Sequence, residues 1–137
     1  MRRIIYISTA GEELDISDIK EIVRVAAMFN NENRIGGHLL YNGLNFLQVL
    51  EGEKQVLDPL YMRIVHDDRH CAVSTILNED IEQRCFTNWG LGVSHKYGPA
   101  QTDTSLESEI AKYEPEVLAD APGHVRRIFE YFITLKA

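Results

Sequence analysis

The run His38-Leu39-Leu40-Tyr41-Asn42-Gly43-Leu44-Asn45-Phe46-Leu47-Gln48-Val49-Leu50-Glu51-Gly52 decides how this chain folds. It reads as two strands, His38 to Tyr41 and Asn45 to Leu50, on either side of Asn42-Gly43. Asn-Gly between apolar runs predicts a hairpin, because a type I′ turn needs positive φ at both central residues. Glu51-Gly52 then ends the second of these strands. Side chains alternate along a strand, so Phe46, Gln48 and Leu50 share one face. An amide on such a face should be largely buried, and burial costs a few kcal/mol unless the amide is hydrogen-bonded. Gln48 is therefore either tied to the backbone of a neighbouring loop or held to face a polar ligand.

Working towards the N-terminus, Ile4 to Ser8 is β-branched and aromatic and reads as a first strand, with faces Ile4/Tyr6/Ser8 and Arg3/Ile5/Ile7. Ser17 reads as an N-cap, with Asp18 in the first turn where it suits the helix dipole. Ile19, Ile22, Val23, Ala26 and Phe29 recur at helical spacing, and the helix stops between Asn30 and Asn33. Asn30 has an ordinary reading as a C-terminal cap.

Towards the C-terminus, Val56, Leu57, Leu60, Tyr61, Ile64 and Val65 mark the buried side of a second helix. Pro59 falls inside this pattern, which predicts a kink or a helix that becomes regular only after Asp58. Val73 to Leu77 and Trp89 to Ser94 read as two more strands. The order βαββαββ opens with the ferredoxin-like split βαβ pattern, an α+β fold whose mixed sheet carries both helices on one face. The first and third strands are neighbours in such a sheet, so contact between Tyr6 and Gln48 is expected.

The character of the chain changes at Lys96. Gly98-Pro99 breaks it, Gln101 to Ser105 is polar, and Leu106 to Leu118 and Val125 to Leu135 read as terminal helices split by Pro122-Gly123. Residues 1–95 are expected to form the functional domain. Residues 96–137 are expected to be a helical extension packed on it, too short for a core of its own.

The 137 residues suffice for one domain with a real core, and 45% hydrophobic and 26% charged residues is an ordinary globular balance. There is no long apolar run to span a membrane. Met1 to Tyr6 is basic and then apolar, but Ser8, Gly11, Glu12 and Glu13 follow too soon for an export signal, so a cytoplasmic address is expected. Cys71 and Cys85 have no C-x-x-C spacing and read as free thiols. A net charge of −7 argues against general nucleic-acid binding. The five histidines show no metal-ligand spacing, so no metal site is expected. No Ser/His/Asp arrangement carries a local signature.

Taken together, these motifs resemble the BLUF domain, the blue-light sensor that uses flavin. The resemblance rests on Ile5-Tyr6-Ile7-Ser8, Phe29-Asn30, Leu39-Leu40-Tyr41 and above all Phe46-Leu47-Gln48-Val49-Leu50-Glu51-Gly52, which matches the family's F-x-Q-x-L-E-G block. It continues through Tyr61-Met62-Arg63-Ile64 and Asp67-Asp68-Arg69-His70 to Phe86 and Trp89, running from about Arg3 to Val93. It implies an FAD, FMN or riboflavin ring held non-covalently between the two helices. Asn30 would bond the pyrimidine edge of the ring, and Tyr6 and Gln48 would form the light-sensitive network. Arg63, Asp67, Arg69 and His70 would lie near the ribityl chain and ring edge, with Ile22 and Ile64 as apolar walls.

The photochemistry implied is electron and proton transfer from the Tyr to the excited flavin, then rearrangement of the Gln amide, with Trp89 and Leu91 beside it. The flavin would stay oxidised, with a spectrum shifted slightly to the red. Three departures stand out. Arg34-Ile35-Gly36-Gly37 replaces the family's G-I-T-G, Leu91 replaces a Met, and Pro59 sits in the second helix.

A photoreceptor of this kind is a sensor without catalysis, signalling through a downstream protein partner. A homo-oligomer is also expected, with Ile110, Val125, Ile128, Phe129 and Phe132 supplying apolar surface. Two alternatives remain: a small ferredoxin-like hydrolase, and a flavin-free dimerisation module. The hydrolase would want a basic, Gly-rich anion cradle after the first strand, where Thr9-Ala10-Gly11-Glu12-Glu13 is acidic instead.

Overall fold

A computed structural model describes residues 1–11, 14–93 and 118–135. The elements run β1 (Arg2–Ala10), α1 (Ile16–Glu32), β2 (Gly36–Tyr41), β3 (Asn45–Gly52), α2 (Lys54–Val65), β4 (His70–Asp80), β5 (Trp89–Val93) and α3 (Gly123–Thr134). The strands form one mixed sheet in the order β4-β1-β3-β2-β5. β1 is antiparallel to both β3 and β4, β2 is antiparallel to β3, and β5 runs parallel to β2. This is the ferredoxin-like α+β arrangement, with β5 added beside β2. Its register sets Tyr6 directly opposite Gln48.

Local chemistry departs from the sequence reading at three points. The N-cap of α1 is Asp15, not Ser17. Asp15 accepts the Asp18 N–H at 2.9 Å, and Asp18 accepts the Asp15 N–H at 3.0 Å. This reciprocal capping box satisfies two orphan donors at once, which Ser17, followed three residues later by Lys20, has no way to do. The β2–β3 turn is not type I′, since positive φ occurs at Gly43 (94°) and not at Asn42. Asn42 Oδ1 instead accepts the N–H groups of Leu44 (3.0 Å) and Asn45 (2.7 Å), a side-chain-built turn over residues 42–44. Finally, α2 is continuous through Pro59. Gln55 and Pro59 are both exposed, so the carbonyl that Pro59 leaves without a donor is on the solvent side.

β4 is longer than its apolar core suggests, extending from His70 to Asp80, and two register shifts against β1 interrupt it. Ala72, at φ 53°, sits in one of these irregularities. The bulges break up a largely exposed edge strand.

The sheet has an apolar cluster on each face. On one side Ile4, Tyr6, Leu39, Phe46, Leu50 and Trp89 meet α1 and α2. On the other Ile5, Leu40, Leu47 and Val49 are covered by α3 through Val125, Phe129 and Phe132. These three α3 residues, expected to supply surface for a partner, are spent inside the chain, with Val125 and Phe129 at 0% exposure. Ile128 is partly buried in the same cluster. Ile110, Ser94 and the expected helix from Leu106 lie outside the described residues.

An ionic network sits on the α3 face. The Arg3 guanidinium bonds Glu51 Oε2 at 2.8 Å and Glu79 Oε1 at 2.6 Å. Glu51, fully buried, turns its other oxygen to the N–H groups of Cys85 and Phe86, both at 2.8 Å. His124, in the first turn of α3, reaches Glu79 at 2.9 Å.

Candidate functional site

Between α1, α2 and the sheet lies a cavity of about 270 Å³, near the lower end of small-molecule sites. The sheet contributes Tyr6 from β1, Leu39 from β2, Phe46 and Gln48 from β3, and Trp89 from β5. The period of 2 puts these side chains on one face, and strand order brings them together. From α1 come Ile22, Ala26 and Asn30, each four residues from the next and so on one helical face, and from α2 come Arg63 and Ile64. Asp67, Arg69 and His70 enter where α2 turns into β4. Every flavin-contacting residue expected from the sequence lines this one cavity, as does Trp89. The side chain of Leu91 lies outside the described residues, and its backbone pairs with Leu39.

At the floor of the cavity is a chain of three side chains. Gln48 Nε2 donates to the Tyr6 hydroxyl at 2.6 Å, and Trp89 Nε1 donates to Gln48 Oε1 at 2.8 Å. All three groups are buried. An indole N–H can only donate, so the amide atom facing it has to be the oxygen, and the amide nitrogen then faces Tyr6. Trp89 thus dictates which way Gln48 points. The amide keeps one N–H and one lone pair beyond these two bonds. Burial pushes the Tyr6 phenol above its ordinary pKa, with the Gln48 hydrogen bond opposing the shift. Tyr6 therefore stays protonated at neutral pH.

Asn30 is 3% exposed and lines the cavity from the end of α1. Its amide carries both donors and an acceptor, so it can bond a ligand that has donors and acceptors on one edge. With Ile22, Phe46 and Ile64 as walls, the residues fit a flat heteroaromatic ring that has a polar edge.

The rim is charged. Arg69 is held by Asp67 through Nε at 3.0 Å and Nη2 at 2.5 Å, and the Arg69 hydrogen bond lowers the Asp67 pKa. Arg63 places its guanidinium 4.8 Å from the centre of the Phe29 ring. His70 commits both nitrogens internally, Nε2 to the Ile64 carbonyl at 2.7 Å and Nδ1 to Ser8 Oγ at 2.8 Å. A carbonyl only accepts, so Nε2 carries the proton, and His70 offers the cavity its ring rather than a polar atom.

Sequence reasoning missed Phe29, Leu39, Phe46 and Leu60 as cavity lining, because their apolar spacing says only that they face inward. It also missed the Trp89–Gln48 bond. That bond depends on β5 pairing beside β2, which no local motif announces.

Residues 1–92 match the family described as BLUF, "Sensors of blue-light using FAD". The chain is 34% identical over 97 residues to photoactivated adenylate cyclase subunit beta of Euglena longa, covering 69% of this chain and 11% of that protein. Among solved structures, it resembles BlrB, a BLUF protein in its dark state, at TM-score 0.67 and 25% identity, covering 96% of both chains. It also resembles Klebsiella pneumoniae BlrP1 with FMN and cyclic diGMP, at TM-score 0.71 and 28% identity, covering 96% of this chain and 34% of that one. The cavity, the Tyr6–Gln48–Trp89 chain and these likenesses agree: the chain belongs to the BLUF family and carries that family's blue-light-sensing flavin domain over residues 1–92.

Proposed function

We propose that this chain binds FAD non-covalently in the α1/α2 cavity and reports blue light by reversing the hydrogen bonds of Gln48. The observation that carries this reading is the Tyr6–Gln48–Trp89 chain on the cavity floor, in the same cavity as the buried Asn30. FMN is the runner-up, since BlrP1 is described with FMN whereas the family description names FAD.

A bound flavin would supply absorption of blue light and, when excited, an electron acceptor. Asn30 would hold the polar edge of the ring, Ile22 and Ile64 would pack its faces, and Arg63 with the Asp67–Arg69 pair would stand at the charged rim. Tyr6 gives up an electron usefully only if its proton leaves with it, because burial makes a charged radical costly. Gln48 is the neighbour placed to take part in that proton's movement. Turning the amide over in place would set Nε2 against Trp89 Nε1, donor against donor. Reversal therefore requires either that the amide tautomerise or that Trp89 withdraw. A buried network with few water partners holds such a change as two discrete states.

The same reading makes residues 1–95 the sensor domain and residues 96–137 an extension of it. It makes the chain a cytoplasmic, non-enzymatic receptor acting on a protein partner and forming a homo-oligomer. Among the described residues no helix is long and apolar enough to cross a membrane. Tyr131, 69% exposed on α3, offers outward aromatic surface for such contacts. Light scattering in dark and light tests the oligomer, and a monomer at all concentrations removes it.

The central test is direct. The purified protein should be yellow, release FAD on denaturation, and show a small reversible red shift under blue light. A colourless preparation that takes up neither FAD nor FMN overturns the reading.

A further inference from the structure

The segment that carries Trp89 is fastened to the segment that follows α1 by a row of contacts. The Arg84 guanidinium bonds the Arg34 carbonyl. The Phe86 carbonyl lies so close to Gly36 that a Cβ there would be 1.7 Å from its oxygen. The Gly37 N–H donates to the Asn88 carbonyl at 3.1 Å. Last in the row, the Trp89 N–H donates to Asn31 Oδ1 at 3.3 Å. Arg34 and Gly36 are the residues at which this chain departs from the G-I-T-G pattern, and both belong to this seam. A Thr at position 36 would meet the Phe86 carbonyl, so close approach of the two segments requires the glycine.

We infer that Asn31 is a positioning residue for Trp89. By accepting the backbone N–H of Trp89, it fixes the start of β5 so that the indole reaches Gln48. The inference rests on the light-switch reading only for its consequence, which is that the seam opposes reversal by withdrawal of Trp89.

The position suits that role. Asn31 is exposed in the last turn of α1, where its side chain bears little of the core packing. Trp89 is the first residue of β5, which among the described residues is an edge strand paired with β2 alone. Asn30, one residue earlier, faces the cavity. The end of α1 therefore holds the ligand-facing amide and the anchor of the indole on adjacent residues.

The chain has a single tryptophan, so 5-fluorotryptophan places one ¹⁹F reporter at position 89. Spectra are recorded in the dark on the full chain as purified, with flavin content assayed separately. Absence of flavin would then sink the functional reading without touching this one. The wild type should show one dominant resonance. Asn31→Ala should add a second, with the inward-to-outward ratio reduced roughly fivefold, the effect of losing one ordinary hydrogen bond. Its denaturation midpoint should stay unchanged, because Ala favours an exposed helical position. Asn31→Asp retains an oxygen acceptor and should restore the wild-type spectrum. An Asn31→Ala spectrum matching the wild type overturns the inference, as does an Asn31→Asp spectrum matching Asn31→Ala.

Discussion

Gln48 can make four hydrogen bonds, and the structure assigns two, one to Tyr6 and one from Trp89. Tyr6→Phe deletes the hydroxyl while leaving the ring that packs against Tyr61 at 5.7 Å. That variant should keep its flavin and lose the light-induced red shift. Gln48→Leu should do the same, because no amide remains to exchange partners. Difference spectra before and after illumination decide both, and a wild-type shift in Tyr6→Phe would make Tyr6 ordinary sheet packing. A second residue-scale expectation concerns His38, on the opposite face. Burial pushes its imidazole down to about 4 from 6.5. Between those values the unfolded chain binds a proton that the folded chain refuses, so stability falls as pH falls through that window. The shift corresponds to about 3 kcal/mol when complete. Urea midpoints of His38→Leu should therefore drop less than those of the wild type between about pH 7 and pH 4.5, whereas parallel curves would show that His38 does not titrate on unfolding. Tyr6 and Gln48 were legible in the sequence because a period of 2 and a known strand order suffice to bring them together. The His38 environment was not, since it depends on β5 closing over β2.

At the scale of elements, the sequence located each described strand and helix and erred where two chemistries competed for one boundary. Asp15 and Ser17 are both good N-caps in isolation, and the tie is broken three residues later, where only Asp15 finds a reciprocating side chain in Asp18. Asp15→Ala should accordingly cost about 1 kcal/mol of stability in chemical denaturation, and Ser17→Ala close to nothing. The reverse order would restore Ser17 as the cap. The Asn42-Gly43 signal was right about the hairpin and wrong about its geometry, because the Asn42 side chain takes up the turn's N–H groups itself. β4 was read short because an exposed edge strand shows no apolar alternation beyond the few residues that touch the core.

The whole molecule is a sheet with two occupied faces, one for the cavity and one for α3, and the faces differ in what a mutation should do. Phe129 is fully buried under the sheet, far from the cavity lining, so Phe129→Ala should cost about 3–5 kcal/mol. It should leave the Trp89 environment intact. Glu51→Ala acts on the same face by another route. It leaves the Arg3 guanidinium with only its bonds to Glu79 and to Cys85 Sγ among the described residues, and leaves the N–H groups of Cys85 and Phe86 without their acceptor. Removing one partner of a buried ion pair costs about 3–5 kcal/mol, so the two variants should unfold at similar denaturant concentrations. They should part company in fluorescence. Residues 85 and 86 lead directly into Trp89, so Glu51→Ala should loosen that segment and move the emission of the single tryptophan to longer wavelength under native conditions, while Phe129→Ala should not. If both variants shift the emission equally, the two faces respond as one body, and Glu51 contributes stability alone. If only Glu51→Ala shifts it, then Glu51, buried on the α3 side, helps to set the geometry of the Gln48 site on the other.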